Sequence, residues 1–142
     1  YEYYVRFEIG GQHPVYCRRQ NKDGPEEILL HGDKEAQGSS FFKIASCIHS
    51  RDHLLLAYAA DLNGSERFQV RLRDLAKGIE LEDKLDDAKG DIAWANDCKT
   101  LFYTILDENH RPYRVMSHKL GQKSKDDKVV YQEADPGFFV SL

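Results

Sequence analysis

The sequence predicts an all-β fold, a fragment of a β-propeller made of four-stranded antiparallel blades, two complete and one partial at each end. Three observations lead there. First, IHSRDHLLLAYAADLNGSERFQVRLRDLAKG (residues 48–78) and WANDCKTLFYTILDENHRPYRVMSHKLG (residues 94–121) superpose at one spacing. Asp52 falls on Asp97, Tyr58 on Tyr103, Phe68 on Tyr113, Val70 on Val115 and Leu75 on Leu120, each pair 45 positions apart. A fixed period of this size marks stacked supersecondary units. Second, each copy consists of short apolar or alternating runs bounded by turn residues, the signature of strands. Third, four such runs in about 45 residues match the size and content of a propeller blade.

Taken in order, residues 2–7, 14–19 and 27–30 read as three strands separated by GGQH and NKDGP, a partial blade over residues 1–30. The first whole blade spans residues 43–82. It opens with KIASC (43–47) and continues with LLLAYAA (54–60). Leu and Ala favour helix, but the run is short and bounded by turns, and its counterpart TLFYTIL is rich in strand formers. Both faces of each run are apolar, so the sheet is expected to be covered on both sides. Phe68, Val70 and Leu72 then alternate with Gln69, Arg71 and Arg73, and residues 79–82 close the blade. Only LAKGIELEDKL (75–85) is compatible with a turn of helix. The second whole blade, residues 91–132, repeats this order with strands at 91–95, 100–106, 113–117 and, after the polar GQKSKDD, 128–132. FFVSL (138–142) reads as the first, innermost strand of a next blade.

The chain has 142 residues, 41% of them hydrophobic, enough for a packed core. No apolar run reaches the roughly 18 residues of a membrane helix, and YEYYVRFEIGG lacks the basic and apolar regions of a signal peptide. A soluble, cytoplasmic chain with no membrane partner is the expectation. A net charge of −4 argues against a nucleic-acid partner, because Arg18-Arg19 is a pair and not a basic patch. Cys17, Cys47 and Cys98 are odd in number and lack C-x-x-C spacing, so buried free thiols are expected, with no metal and no cofactor. At about 45 residues per blade a four-bladed ring needs roughly 180 residues, so the chain reads as part of a longer protein.

The WD40 signature is missing, since Trp94 is followed by Ala95. Instead YEYYVRFEIGGQHPVYCRR, DLNGSERF, LFYTILDENHRPYRVMSHKLG and VVYQEADPGFFVSL resemble the N-terminal propeller of the prolyl oligopeptidase family of serine peptidases. DENHRP and the opening YEYY place the resemblance in its oligopeptidase B branch. It covers nearly the whole chain. Two turns depart from the family pattern: Leu29-Leu30-His31-Gly32-Asp33 stands where Leu-Leu-Asp-x-Asn is usual, and Ser50-Arg51-Asp52 replaces Ser-Pro-Asp. The resemblance implies a partner α/β-hydrolase domain in the same parent chain that carries a Ser-Asp-His triad. It also implies cleavage of short peptides after Lys or Arg, with the propeller limiting access.

Within this chain the residues hold no such machinery. A nucleophile elbow needs Gly-x-Ser-x-Gly, whereas Ser65 sits in NGSER and Ser39-Ser40 in QGSSFF. Ser50, Asp52 and His53 are too close on one tight turn for relay geometry, and a turn motif is the better reading. His49 and His53 have the spacing of a helical metal pair, but their segment reads as strand and turn. Trp94 and the other aromatics read as packing between blades. No catalytic or substrate-binding residue is assigned.

The charged turns 64–67 and 107–112 occupy corresponding loops of consecutive blades and should share one rim. Glu66, Arg67 and Arg111 are therefore the interdomain candidates, able to pair with the peptidase domain; exposed pairs of this kind contribute about 0 to 1 kcal/mol each. Solvated loop charge is the plain alternative. A second function class is a propeller that serves only as a binding scaffold for a protein or glycan. A Gly-x-Ser-x-Gly elbow beyond Leu142 would decide between the two. Apolar faces left without a neighbouring blade, near Tyr4, Val15, Cys17 or Ile28 at one end and residues 129–131 at the other, imply self-association of the chain on its own.

Overall fold

A computed structural model describes all 142 residues and shows ten strands in two antiparallel sheets. The first sheet has the order β1-β2-β3, from β1 (Glu2–Arg6), β2 (Val15–Arg19) and β3 (Glu27–His31). The second is a continuous run of seven strands from β4 to β10. These are β4 (Lys43–His49), β5 (Leu55–Asp61), β6 (Phe68–Asp74), β7 (Ile79–Trp94), β8 (Thr100–Leu106), β9 (Pro112–Lys119) and β10 (Lys128–Gln132). No helix is long and apolar enough to cross a membrane.

The 45-residue period is written into the backbone. His53 and Cys98 both take a positive φ, at 64° and 55°, in equivalent turns. The N–H of Leu75 donates to the carbonyl of Leu54, and that of Leu120 donates to the carbonyl of Lys99, with distances of 2.9 and 2.8 Å. Strand β5 is buried along its whole length, as a run apolar on both faces requires. Leu56, Tyr58 and Ala60 pack with Leu29, Leu30 and Phe42. Ala57 and Ala59 join Val70, Leu72 and Leu85 against Leu101, Tyr103 and Met116 of the following blade. The core is thus two apolar layers, one between the first sheet and the β4–β6 blade and one between that blade and the next.

Four details differ from the sequence reading. Of residues 79–82 and 91–95, expected as separate strands, 79–82 and 91–94 belong to the single 16-residue strand β7. Its first part pairs with β6 and its last part with β8, and Ala88 faces partners on both sides, Phe68 and Ile105. LDDAKGD carries turn residues, yet Gly90 at φ 118° lets the strand bend without ending. Second, residues 75–85 contain no helical turn; the one α-helix, α1 (Gly32–Glu35), lies elsewhere, and a 3-10 turn covers Ser124–Asp126. Third, residues 138–142 form no strand. The segment is held by single bonds, from Val140 N–H to the Pro112 carbonyl and from Leu142 N–H to Asp91.

The fourth correction concerns the free face of the first sheet. Of Tyr4, Val15, Cys17 or Ile28, the residues expected there, Ile28 is exposed and Tyr4 half-buried, whereas Val15 and Cys17 are fully buried. Charged side chains share this surface with the exposed Val5 and Ile28. Arg6 bonds Glu26 and Glu8 at 2.7 and 2.9 Å, the Tyr4 hydroxyl donates to Glu26, and Arg19 bonds Glu2. Long basic side chains shield apolar surface with their stems while the charge stays in water. The bonds from Arg6, and then from Tyr4, hold the Glu26 carboxyl down at about 2.

Candidate functional site

The charged rim is built by two hairpin loops that begin with an aspartate for the same reason. Asp61 ends β5 and accepts the N–H groups of Asn63 and Gly64 on Oδ1 and of Glu66 on Oδ2. Asp107 follows β8 and accepts the N–H groups of Asn109 and Arg111. A carboxylate capping successive turn amides permits the positive φ angles of Gly64, Glu66 and His110. The bond from the Arg111 N–H is the leading reason that the Asp107 carboxyl sits below the usual carboxylate range.

The structure brings the predicted rim residues to one end of the blades, and both arginines converge on Asp107. Arg67 donates from Nη2 to the Asp107 carbonyl at 2.7 Å, and Arg111 donates from Nε to its carboxylate at 3.3 Å. Arg111 continues to the carbonyls of Asp135 and Phe138, each at 2.9 Å. Each arginine therefore fastens its own loop to the next stretch of the propeller. Glu66 is exposed, and only its backbone N–H is engaged. Asp61 and Asp107, which organise these loops, were missed from sequence. The signal was present in the pairing of DLNG with DENH at nearly the repeat spacing.

At the opposite end of the strands the residues that imitate a triad are turn elements. The fully buried Ser50 hydroxyl donates to Asp52 at 2.6 Å and accepts the Leu55 N–H. The bond from Ser50 is the first cause that lowers the Asp52 carboxyl. His53 does not reach Ser50; its Nδ1 is 2.7 Å from the Tyr3 hydroxyl. His49 and His53 stack with rings 5.1 Å apart, and Tyr3 stacks on His49 at 3.7 Å. No group of three or more His, Cys, Asp or Glu side chains has an arrangement that could hold a metal ion. Trp94 packs at the interblade core and donates its indole N–H to the Ile48 carbonyl. Cys17 is buried and Cys47 and Cys98 partly so, and all are free thiols; burial pushes the Cys47 thiol up to about 12, which makes it a poor nucleophile. A cleft of about 690 Å³ is lined by residues 81–84 and 121–125 and contains no histidine. The Ser50, Asp52 and His53 side chains thus form no nucleophile–base pair.

Comparison with known proteins agrees with the blade architecture. Over residues 1–142 the chain matches the family described as prolyl oligopeptidase, N-terminal beta-propeller domain. It is 33% identical to dipeptidyl aminopeptidase BI of Pseudoxanthomonas mexicana over 99% of its own length and 22% of that protein's. Protease 2 of Moraxella lacunata is 28% identical over 96% of the chain and 21% of the relative. Among solved structures, oligopeptidase B from Leishmania major superposes with a TM-score of 0.91 at 27% identity, over 96% of this chain and 20% of that one. The chain spans about a fifth of the length of these relatives. Stacked four-stranded blades, the absence of a triad and a family match along the whole chain lead to one conclusion: this chain belongs to the N-terminal β-propeller family of the prolyl oligopeptidases.

Proposed function

We propose that the chain is part of the access-controlling propeller of an oligopeptidase B-type serine peptidase, which hydrolyses short peptides after Lys or Arg. The triad would lie in an α/β-hydrolase domain of the same parent chain. The observation that carries this reading is the superposition on oligopeptidase B along nearly the whole chain, combined with a Ser50 hydroxyl committed to a turn. A propeller without its own nucleophile affects catalysis by controlling entry and closure. On the rim, Arg67 and Arg111 hold the propeller together, which leaves the exposed Glu66 as the group available to a partner domain.

A second reading comes from the dipeptidyl aminopeptidase at 33% identity, in which the parent removes dipeptides from a free N-terminus. Kinetics of the full-length parent on chromogenic peptides ending in Lys, Arg or Pro, with free or blocked N-termini, separate the two. Turnover of blocked Lys and Arg peptides, falling with peptide length, is expected. Turnover restricted to free N-termini would select the second reading, and turnover restricted to Pro or absent altogether would end the first. Absence of any peptidase activity in the parent would favour the binding-scaffold class.

A further inference from the structure

Two polar joints, one in each blade and the first only partly buried, share a plan that the apolar repeat does not require. In the first, Arg73 on β6 lies between two carboxylates. Its Nη2 is 2.8 Å from Glu35, which belongs to the preceding unit, and 3.7 Å from Glu80 of its own blade. The Tyr58 hydroxyl on β5 donates to Glu80. In the second joint the residues 45 positions later are Tyr103 and His118. His118 on β9 again lies between two carboxylates, with Nδ1 2.7 Å from Asp127 of its own blade and Nε2 2.7 Å from Asp83 on β7. The Tyr103 hydroxyl donates to the other oxygen of Asp127 at 2.6 Å. In both joints a tyrosine of the second strand and a cation position of the third strand meet a carboxylate of the same blade, and the third-strand residue reaches back to a carboxylate of the preceding one.

The second joint is the more enclosed. The side chains of His118, Asp83 and Asp127 are 1%, 6% and 0% exposed. Gly121 N–H also donates to Asp83, and Gln122 donates to Asp127. With both carboxyls ionised the pair offers only acceptors, and a neutral imidazole has one N–H, so one of its nitrogens would meet a carboxylate oxygen lone pair to lone pair. A ring donating from both nitrogens satisfies both oxygens, as the guanidinium does in the first joint.

We infer that His118 is a structural imidazolium that takes the place of the arginine in the repeated interblade joint and fastens the outer strand β10 to the propeller. β10 needs such an anchor. All five of its residues are exposed, so no buried side chain holds it, and Asp127 immediately precedes it. Without the cation two buried carboxylates would face each other's field across an empty site, and residues 120–132 would be released first.

The test uses the full-length protein that contains this chain. Amide exchange followed by mass spectrometry reads the protection of residues 120–132 in wild type, His118→Gln and His118→Arg. Glutamine retains a donor and removes the charge; it is expected to speed exchange there on the order of 100-fold, the effect of leaving a buried charge unpaired. His118→Arg, which copies the first joint, is expected to restore protection toward wild type. Because arginine is larger, a second measurement requires no substitution to fold. With 15N-labelled histidine in neutral buffer, the His118 ring, assigned by its loss in His118→Gln, should show a directly bonded proton on both nitrogens. A ring with one bare nitrogen, or protection unchanged in His118→Gln, overturns the inference.

Discussion

Asp52 and Asp97 occupy the same place in two successive turns, and each carboxylate is pulled low by the donors around it. For Asp52 the leading donor is the Ser50 hydroxyl, and for Asp97 it is the Lys99 N–H, followed by the Thr100 hydroxyl. Asp107 behaves alike in its own loop. A carboxyl lowered by folding contributes stability that is complete above its unfolded value, near 3.9, and is lost as pH falls through the folded value. The acid limb of the stability curve below about pH 4 should therefore be steeper in wild type than in Asp97→Asn. Urea titrations at a series of pH values test this, and parallel acid limbs would remove Asp97 from the account. The turn role of Asp52 was legible in sequence because its partners are adjacent residues. The burial of His118 was not, because its two carboxylates come from 35 residues before it and nine after it.

At the scale of elements, β7 serves two blades, and Gly90 is where it passes from one to the other. A Cβ there would lie 2.7 Å from the Ala45 Cβ, and φ is 118°. Gly78, at φ 66°, has open space around it. Gly90→Ala combines backbone strain with overpacking and should cost about 2–4 kcal/mol, against about 1–2 kcal/mol for Gly78→Ala, which carries the backbone term alone. Denaturant midpoints of the two variants decide; equal losses would mean that the close approach of β7 to β4 has no energetic weight. The strands themselves were readable because a short run of β-formers between turn residues has few alternatives. The continuity of β7 was hidden, since LDDAKGD has the composition of a turn and only bonding to β6 and β8 in succession keeps it extended.

At the scale of the whole molecule, stability rests on faces pressed between neighbours. Leu85 is fully buried in the layer between the two blades and Leu56 in the layer toward the first sheet. Truncation of either to alanine should cost about 2–5 kcal/mol. The far face offers the contrast. Val129, Val130, Tyr131, Phe138 and Phe139 are all at least half exposed, and β10 is an edge strand with few charges, so the 142-residue chain by itself is expected to self-associate there. Sedimentation should show association that weakens when Val130 and Tyr131 are both replaced by lysine. A monomer at high concentration would contradict this. The first sheet differs in carrying the ion pairs of Arg6 and Arg19 beside its exposed Val5 and Ile28.

From the sequence alone came the strand order, the 45-residue period, the burial of both faces of β5 and the absence of a nucleophile elbow. All four depend on residues near one another in the chain, or on a pattern that repeats. Only the tertiary structure decided that β7 is unbroken, that Val15 and Cys17 are buried, that the rim arginines hold their own propeller, and that His118 lies between two blades. These depend on which distant segments come to lie side by side, and a charged residue's partner is set by that proximity and not by its neighbours in sequence.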